Sequence, residues 1–195
     1  MTQAGLFAEQ ALPPGFAHSE DFLSADEERA ALAGIASLEL REAQYKEYTA
    51  RRRVASFGAG YDFDANELTP APVMAPFLVP LRDKAARWAG EDPAAFNYAL
   101  VAEYSPGTQL GWHRDVPQFE SILGLSLGTT CTMRLRRYPP RAGERIYRLE
   151  LAPRSVYALR GEARWEWQHA IAPTPGLRYS VTFRTLRKGR KKPTP

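Results

Sequence analysis

The chain has 195 residues, with Lys+Arg 26 against Asp+Glu 22, a hydrophobic share of 44% and one cysteine. At roughly 100–200 residues per domain this is one domain, large enough for a substantial core. One cysteine excludes an intramolecular disulfide framework and a zinc site built on clustered cysteines, and no run approaches the ~20 apolar residues of a membrane span.

The N-terminus, MTQAGLFAEQ, has neither the basic start nor the apolar core of a secretory signal, so the expectation is a soluble, cytoplasmic protein. Residues 1–12 read as a loose leader closed by Pro13-Pro14-Gly15, and residues 16–23 alternate as a short strand. Ser24 and Glu27 form a capping box, in which hydroxyl and carboxylate each satisfy a free amide. With Leu32, Ile35 and Leu38 on one face, they predict a helix from Ala25 to Leu38. A second helix is predicted from Pro80 to before Gly90, with Leu81, Ala85 and Trp88 inward.

From Asn97 onward the pattern changes to short β runs. Candidate strands are Tyr98–Tyr104, Ile122–Leu127, Thr132–Arg136, Tyr147–Leu151, Val156–Leu159 and Tyr179–Thr185, separated by Pro- and Gly-containing turns. Cys131, at a strand start, reads as core. This spacing predicts an antiparallel sandwich or barrel, with helices first and a β-core after them.

Charge is uneven along this order. Residues 1–50 hold three basic and nine acidic groups, whereas 151–195 hold ten basic and two acidic ones. A polyanion meeting the basic side is one reading. The other is a basic disordered tail over 187–195, where Arg187, Lys188, Arg190, Lys191 and Lys192 carry the excess.

Three histidines exist: His18, His113 and His169. His113 and Asp115 stand at i and i+2, on one face if the segment is extended, and several strands could bring His169 opposite them. Two histidines and a carboxylate on one side of an octahedral metal leave positions open, the arrangement of non-haem Fe(II) oxygenases. The alternative is a chance His-x-Asp with His169 as a core residue. His18 has no ligand partner at suitable spacing and reads as surface or capping. Arg178 and Arg184 share one side of a strand and could fork a dicarboxylate. Tyr104 precedes His113 by nine residues, and Trp167 lies two before His169.

In this order the residues resemble the AlkB family of Fe(II)- and 2-oxoglutarate-dependent dioxygenases. The matching stretches are FNYALVAEYSPGTQLGWHRD at 96–115, SLG at 126–128, GEARWEWQH at 161–169 and RYSVTFR at 178–184. RRRVASFG at 51–58 is similar to the segment leading into that family's substrate lid.

The resemblance implies a mainly β α+β fold: a double-stranded β-helix, or jelly roll, with two supporting N-terminal helices. It divides the single domain into helices and lid over 13–95 and a catalytic core over 96–186. It makes His113, Asp115 and His169 the Fe(II) ligands, with 2-oxoglutarate and O₂ as cosubstrates. Tyr104 and Arg178 would hold the distal carboxylate of 2-oxoglutarate, and Arg184 would help at the proximal end. Two positions depart from the family pattern. Ala102 stands where Asn is usual in Asn-x-Tyr, and Ser180 where Asn is usual in Arg-x-Asn; only Ser180 can donate a hydrogen bond.

The reaction so implied is oxidative demethylation of N-alkylated bases in DNA or RNA, releasing formaldehyde, succinate and CO₂. Hydroxylation of a wobble-uridine modification in tRNA, or of a protein or small molecule, is the alternative. For the substrate, Tyr45, Tyr48, Arg51, Arg52, Arg53, Phe57 and Tyr61 interleave aromatic and cationic side chains, as base stacking and phosphate binding require; a solvated hairpin with its aromatics in the core is the other reading. Arg134 and Arg136 share a strand face suited to phosphates, and Trp112 is a candidate pocket wall. The expected partner is single-stranded or base-flipped nucleic acid, met by a monomer without a membrane.

Overall fold

The structure, a computed structural model, describes residues 12–45, 48–62, 65 and 67–189, without the side chains of 43–51. The leader up to residue 11 and the tail from 190 lie outside the described residues. In chain order the elements are β1 (Phe16–Ser19), α1 (Ala25–Ala36), β2 (Arg41–Tyr45), β3 (Tyr48–Phe57), β4 (Gly60–Asp62), β5 (Glu67–Thr69) and α2 (Leu78–Trp88). A 3-10 turn at Pro93–Ala95 leads into β6 (Tyr98–Tyr104), β7 (Leu110–His113), β8 (Phe119–Gly128), β9 (Cys131–Arg137), β10 (Tyr147–Leu151) and β11 (Ser155–Leu159). A short α3 (Gly161–Trp165), β12 (Trp167–Ile171) and β13 (Arg178–Leu186) follow.

Seven strands form a major sheet in the order β1-β11-β8-β13-β6-β3-β2, and four form a minor sheet, β10-β9-β12-β7. All their pairings are antiparallel. The result is the expected jelly roll with two supporting helices. The expected order of helices before β-core needs correction, because β1, β2 and β3 join the major sheet from the N-terminal third. The sequence suggested here only a solvated hairpin, as one of two readings, because the charged residues of β2 and β3 obscure the alternation.

Strand alternation divides the molecule into two packed layers. On β6, β8 and β13, Ala99, Val101, Leu123, Leu125, Leu127, Val181 and Phe183 face α1 and α2 in one cluster. The neighbouring even-numbered residues face the minor sheet. There Tyr98 and Ile122 pack with Met133, Leu135, Trp167 and Ile171 in a second cluster. Helices, major sheet and minor sheet therefore stack in that order.

The capping box forms as expected: Glu27 N–H donates to Ser24 Oγ at 3.1 Å, and Ser24 N–H donates to Glu27 Oε2 at 2.7 Å. Lys84 of α2 also donates to both oxygens of Glu27, at 2.7 and 2.8 Å. That contact ties the two helices together and holds the Glu27 carboxyl below its usual range. Helix α2 starts at Leu78, two residues before the expected Pro80. Proline fits there because the first turn's amides have no intrahelical acceptor. Among the described residues no helix is long and apolar enough to cross a membrane.

His18 is half-buried on β1 opposite Tyr157, with Nε2 shielded and unpartnered, instead of lying at the surface or capping a helix. Burial lowers its pKa.

Candidate metal centre and its cavity

β7 and β12 carry the potential ligands. Their antiparallel register sets His113 directly opposite His169, with ring centroids 4.1 Å apart. Asp115 sits just past β7, its Oδ2 3.7 Å from His169 Nε2. One ligand atom from each of the three residues lies within 4.8 Å of the others.

The protonation states suit a cation. Desolvation pushes His169 down to about 3, assisted by the nearby His113, and desolvation likewise lowers His113. Burial alone would raise Asp115, but Arg184 and the two imidazoles outweigh it and hold the carboxyl well below its usual range. Two neutral imidazoles and one ionised carboxylate are the deprotonated donors that metal binding needs. His113 Nδ1 stands 2.9 Å from the Gly111 carbonyl; donating there leaves Nε2 as the free lone pair.

Asp115 is further fixed by Arg184, whose Nη2 donates to Oδ1 at 3.2 Å. Arg164 holds the loop carrying Asp115, donating to the Val116 carbonyl at 2.7 Å and the Phe119 carbonyl at 2.8 Å. The sequence reading passed over Arg164. Its fully buried position after α3 begins resembles an ordinary surface arginine in sequence.

His113, Asp115, His169 and Arg184 line a cavity of about 1340 Å³ between the sheets. Its major-sheet wall is a ladder of paired residues from β13 and β6: Arg178 opposite Tyr104, Ser180 opposite Ala102, Thr182 opposite Leu100 and Arg184 opposite Tyr98. The two departures from the AlkB pattern, Ala102 and Ser180, are thus one place in space. Arg178 is 1% exposed. Its Nε donates to Ser126 Oγ at 3.0 Å, its guanidinium lies 5.0 Å from the Tyr104 ring centroid, and Nη1 is buried without a hydrogen-bond partner.

Tyr157, which lines the cavity, and Ser126, which holds Arg178, are further residues that sequence reasoning gave no role. Tyr157 lies over Gly124, its partner across β11 and β8, and a Cβ at Gly124 would run into the phenol ring. Gly124→Ala is therefore expected to displace Tyr157 and lower stability by about 1–3 kcal/mol, as overpacking does; thermal unfolding checks this.

The substrate residues inferred from sequence divide by strand face. Arg52, with Val54 and Ser56, points into the cavity, and its Nη1 donates to Tyr104 Oη at 3.4 Å. Tyr61 of β4 and Trp112 of β7 also line the cavity. Phe57 does not: it is buried in the layer beneath the helices, a correction that follows from its odd position on β3. Arg53 points the same way as Phe57, outside the cavity lining, and is held by Glu103 through two bonds of 2.8 Å. The Tyr45, Tyr48 and Arg51 side chains lie outside the described residues. Arg134 and Arg136 lie on the outer side of the minor sheet, beyond the cavity lining. Trp167 is core, its Nε1 donating to Glu162 at 3.2 Å.

Comparison with known proteins gives this arrangement its class. Residues 15–184 match the model of the 2OG-Fe(II) oxygenase superfamily, and the chain belongs to that superfamily. Its enzymes are dioxygenases that use Fe(II), 2-oxoglutarate and O₂.

Within that class the chain is similar to several proteins. An uncharacterised protein, L905, of Acanthamoeba polyphaga mimivirus is 31% identical over 48% of this chain and 50% of its own length. The tRNA (carboxymethyluridine(34)-5-O)-methyltransferase ALKBH8 of Macaca fascicularis is 27% identical over 83% of this chain. This chain thus spans half the viral protein and 25% of the macaque one. Among solved structures, OsALKBH1 superposes with a TM-score of 0.71 at 18% identity, covering 90% of this chain and 99% of that one. A Pseudomonas putida prolyl-4-hydroxylase gives 0.59 at 18% identity, covering 90% and 94%. Those two likenesses concern the fold.

The residues present fit the class's requirements. Two imidazoles and a carboxylate converge with donor atoms within 4.8 Å, as a non-haem Fe(II) site requires. The shielded, unpartnered Nη1 of Arg178 supplies the buried cation that a dicarboxylate needs.

Proposed function

We propose that this protein is a dioxygenase that demethylates an N-alkylated base in single-stranded or flipped-out nucleic acid. The cavity carries this reading. At about 1340 Å³ it exceeds the roughly 300–1,000 Å³ of an ordinary small-ligand pocket, leaving room for an extruded base beside the cosubstrate. A base stacked in a duplex could not enter it.

In this reading His113, Asp115 and His169 hold Fe(II). Arg178, braced by Ser126 and Tyr104, takes the far carboxylate of 2-oxoglutarate. Arg184 serves the metal-proximal end while keeping Asp115 ionised and oriented, and the Ser180 hydroxyl offers a further donor. Bound there, iron supplies the coupled oxidation of 2-oxoglutarate to succinate and CO₂ and of a substrate C–H bond to an alcohol. When that carbon is an N-methyl, the resulting hemiaminal loses its C–N bond and leaves formaldehyde and the free base. The protein's part is to place one carbon near the metal and exclude the others. Arg52, Tyr61 and Trp112 are the side chains placed to do so.

A second reading is hydroxylation, without dealkylation, of a wobble-uridine modification in tRNA. The names of the macaque, mouse and frog relatives favour it, since all three concern carboxymethyluridine 34 and match 83–84% of this chain at 27–28% identity. Their methyl transfer is not carried over. We place the protein in the cytoplasm as a monomer, which light scattering tests for the oligomeric state.

Mass spectrometry separates the readings. Protein, Fe(II), ascorbate and 2-oxoglutarate are incubated with an oligonucleotide carrying 1-methyladenine or 3-methylcytosine, and in parallel with tRNA. Loss of a methyl mass supports demethylation; gain of one oxygen in the anticodon supports the second reading. Steady succinate with both nucleic acids unchanged would overturn both and direct attention to proteins or small molecules.

A further inference from the structure

We propose that the outer face of the minor sheet docks the phosphate backbone of a single nucleic-acid strand whose target base enters the cavity. The inference rests on the nucleobase substrate proposed above and gives that substrate a path across the surface.

Alternation on β9 turns Cys131, Met133 and Leu135 into the core and leaves Arg134 and Arg136 outward. On one side β10 sets Arg148 directly opposite Arg134. On the other, β12 sets Gln168 opposite Arg136, and Arg136 Nε donates to Gln168 Oε1 at 2.9 Å. Beyond β12, on β7, stands Trp112, which also lines the cavity. Both guanidiniums lie over its indole, Arg136 at 4.3 Å and Arg134 at 5.2 Å from the ring centroid. Trp112 therefore acts as a platform joining the arginine face to the cavity mouth, more than the pocket wall its sequence position suggests.

Charge identifies the occupant. Among the described residues no carboxylate forms an ion pair with Arg134, Arg136 or Arg148, and Arg134 Nε is shielded without a hydrogen-bond partner. The neighbouring Arg137, by contrast, is held by Glu162 and Glu166. Like charges directly opposite on paired strands cost stability, and an external polyanion offsets that cost. The one acid on this part of β10, Glu150, stands opposite Thr132, beyond Arg134 from Arg136.

Spacing agrees with charge. Residues two apart on a strand are roughly 6.6 Å apart, comparable with the step between neighbouring phosphates of one strand. Contact with the indole holds the guanidiniums in place in advance, so less entropy is lost when each forks a phosphate. The acidic first turn of α1 lies across the major sheet, on the far side of the molecule.

The test is fluorescence anisotropy of the full chain with a labelled single-stranded RNA of about 15 nucleotides, and with DNA of the same sequence, across a salt series. Wild-type affinity should fall linearly on a log–log plot. Arg134→Gln/Arg136→Gln should reduce the slope by about 1.4, at about 0.7 for each phosphate that is no longer neutralised. Arg137→Gln, the ion-paired neighbour, should leave the slope unchanged. RNA and DNA should respond alike, because phosphates are being read. Circular dichroism confirms that each variant is folded. Wild-type binding with an unchanged slope in the double variant would overturn this surface and leave the substrate reading standing. No salt-dependent binding by the wild type would overturn both.

Discussion

His113→Ala should abolish iron binding and reduce 2-oxoglutarate-dependent succinate formation by more than about 100-fold. Removing even an outer partner of a metal ligand costs 10–100-fold, and this change removes one of three candidate ligands whose donor atoms lie within 4.8 Å. Anaerobic titration with Fe(II) reads the loss directly, apart from turnover. Asp115→Ala should do the same and also weaken the fold. Asp115 is the carboxylate that faces Arg184 at 3.2 Å, with both side chains largely buried. Removing one member of such a pair costs about 3–5 kcal/mol, so its thermal midpoint should fall well below that of His113→Ala. Equal midpoints for the two variants would show that Arg184 does not depend on Asp115. Normal iron binding by His113→Ala would remove the histidine from the ligand set.

Arg178→Met should have opposite effects on the free and the liganded protein. Arg178 is 1% exposed, its hydrogen bond goes to a neutral serine, and Nη1 has no hydrogen-bond partner. A buried charge without a counterion is a cost to folding. Exchanging even a buried ion pair for apolar side chains of similar volume is often neutral or stabilising by about 1–4 kcal/mol, so the variant of this counterion-free charge should unfold at a higher temperature than wild type when no 2-oxoglutarate is present. Addition of 2-oxoglutarate should then separate them. A ligand at 100 times its Kd stabilises the native state by about 2.7 kcal/mol, and only wild type should show that gain. The KM for 2-oxoglutarate should rise by at least tenfold, since a hydrogen bond to a charged group contributes about 1.5–3 kcal/mol. A variant less stable than wild type without cosubstrate would mean that Arg178 is a structural strut. An unchanged cosubstrate response would mean that the dicarboxylate binds elsewhere in the cavity.

Much of this was readable along the chain because the relevant signals are local. Tyr98–Tyr104 and Tyr147–Leu151 have the strand bounds expected. Helix α1 begins at Ala25 because Ser24 and Glu27 answer each other within one turn. The spacing of Arg178 and Arg184 placed both on one strand face, and both reach the cavity. His113, Asp115 and His169 were legible as a set through their chemistry and order, although the two strands that bring them together were not. β7 spans only Leu110–His113, and β12 follows directly on α3. Each is short, and the register between them shifts between His169 and Ile171.

What the sequence by itself determined was the inventory: a β-rich domain, a capped first helix, a candidate set of metal donors and two arginines on a common face. Tertiary structure decided which way the remaining side chains point. Arg52 entered the cavity while Arg53 and Phe57 turned to the opposite face, because neighbouring residues of one strand face opposite sides and the choice of side depends on the distant partner. Here that partner is β6, which pairs Arg53 with Glu103 and Phe57 with Ala99. β6 is itself buried on both faces, so its composition gives no alternation from which the inward side could be read. Pairing of β6 with β13 likewise set Ala102 opposite Ser180, and hydrogen bonds to two carbonyls hold Arg164, distant in sequence, under the loop that carries Asp115.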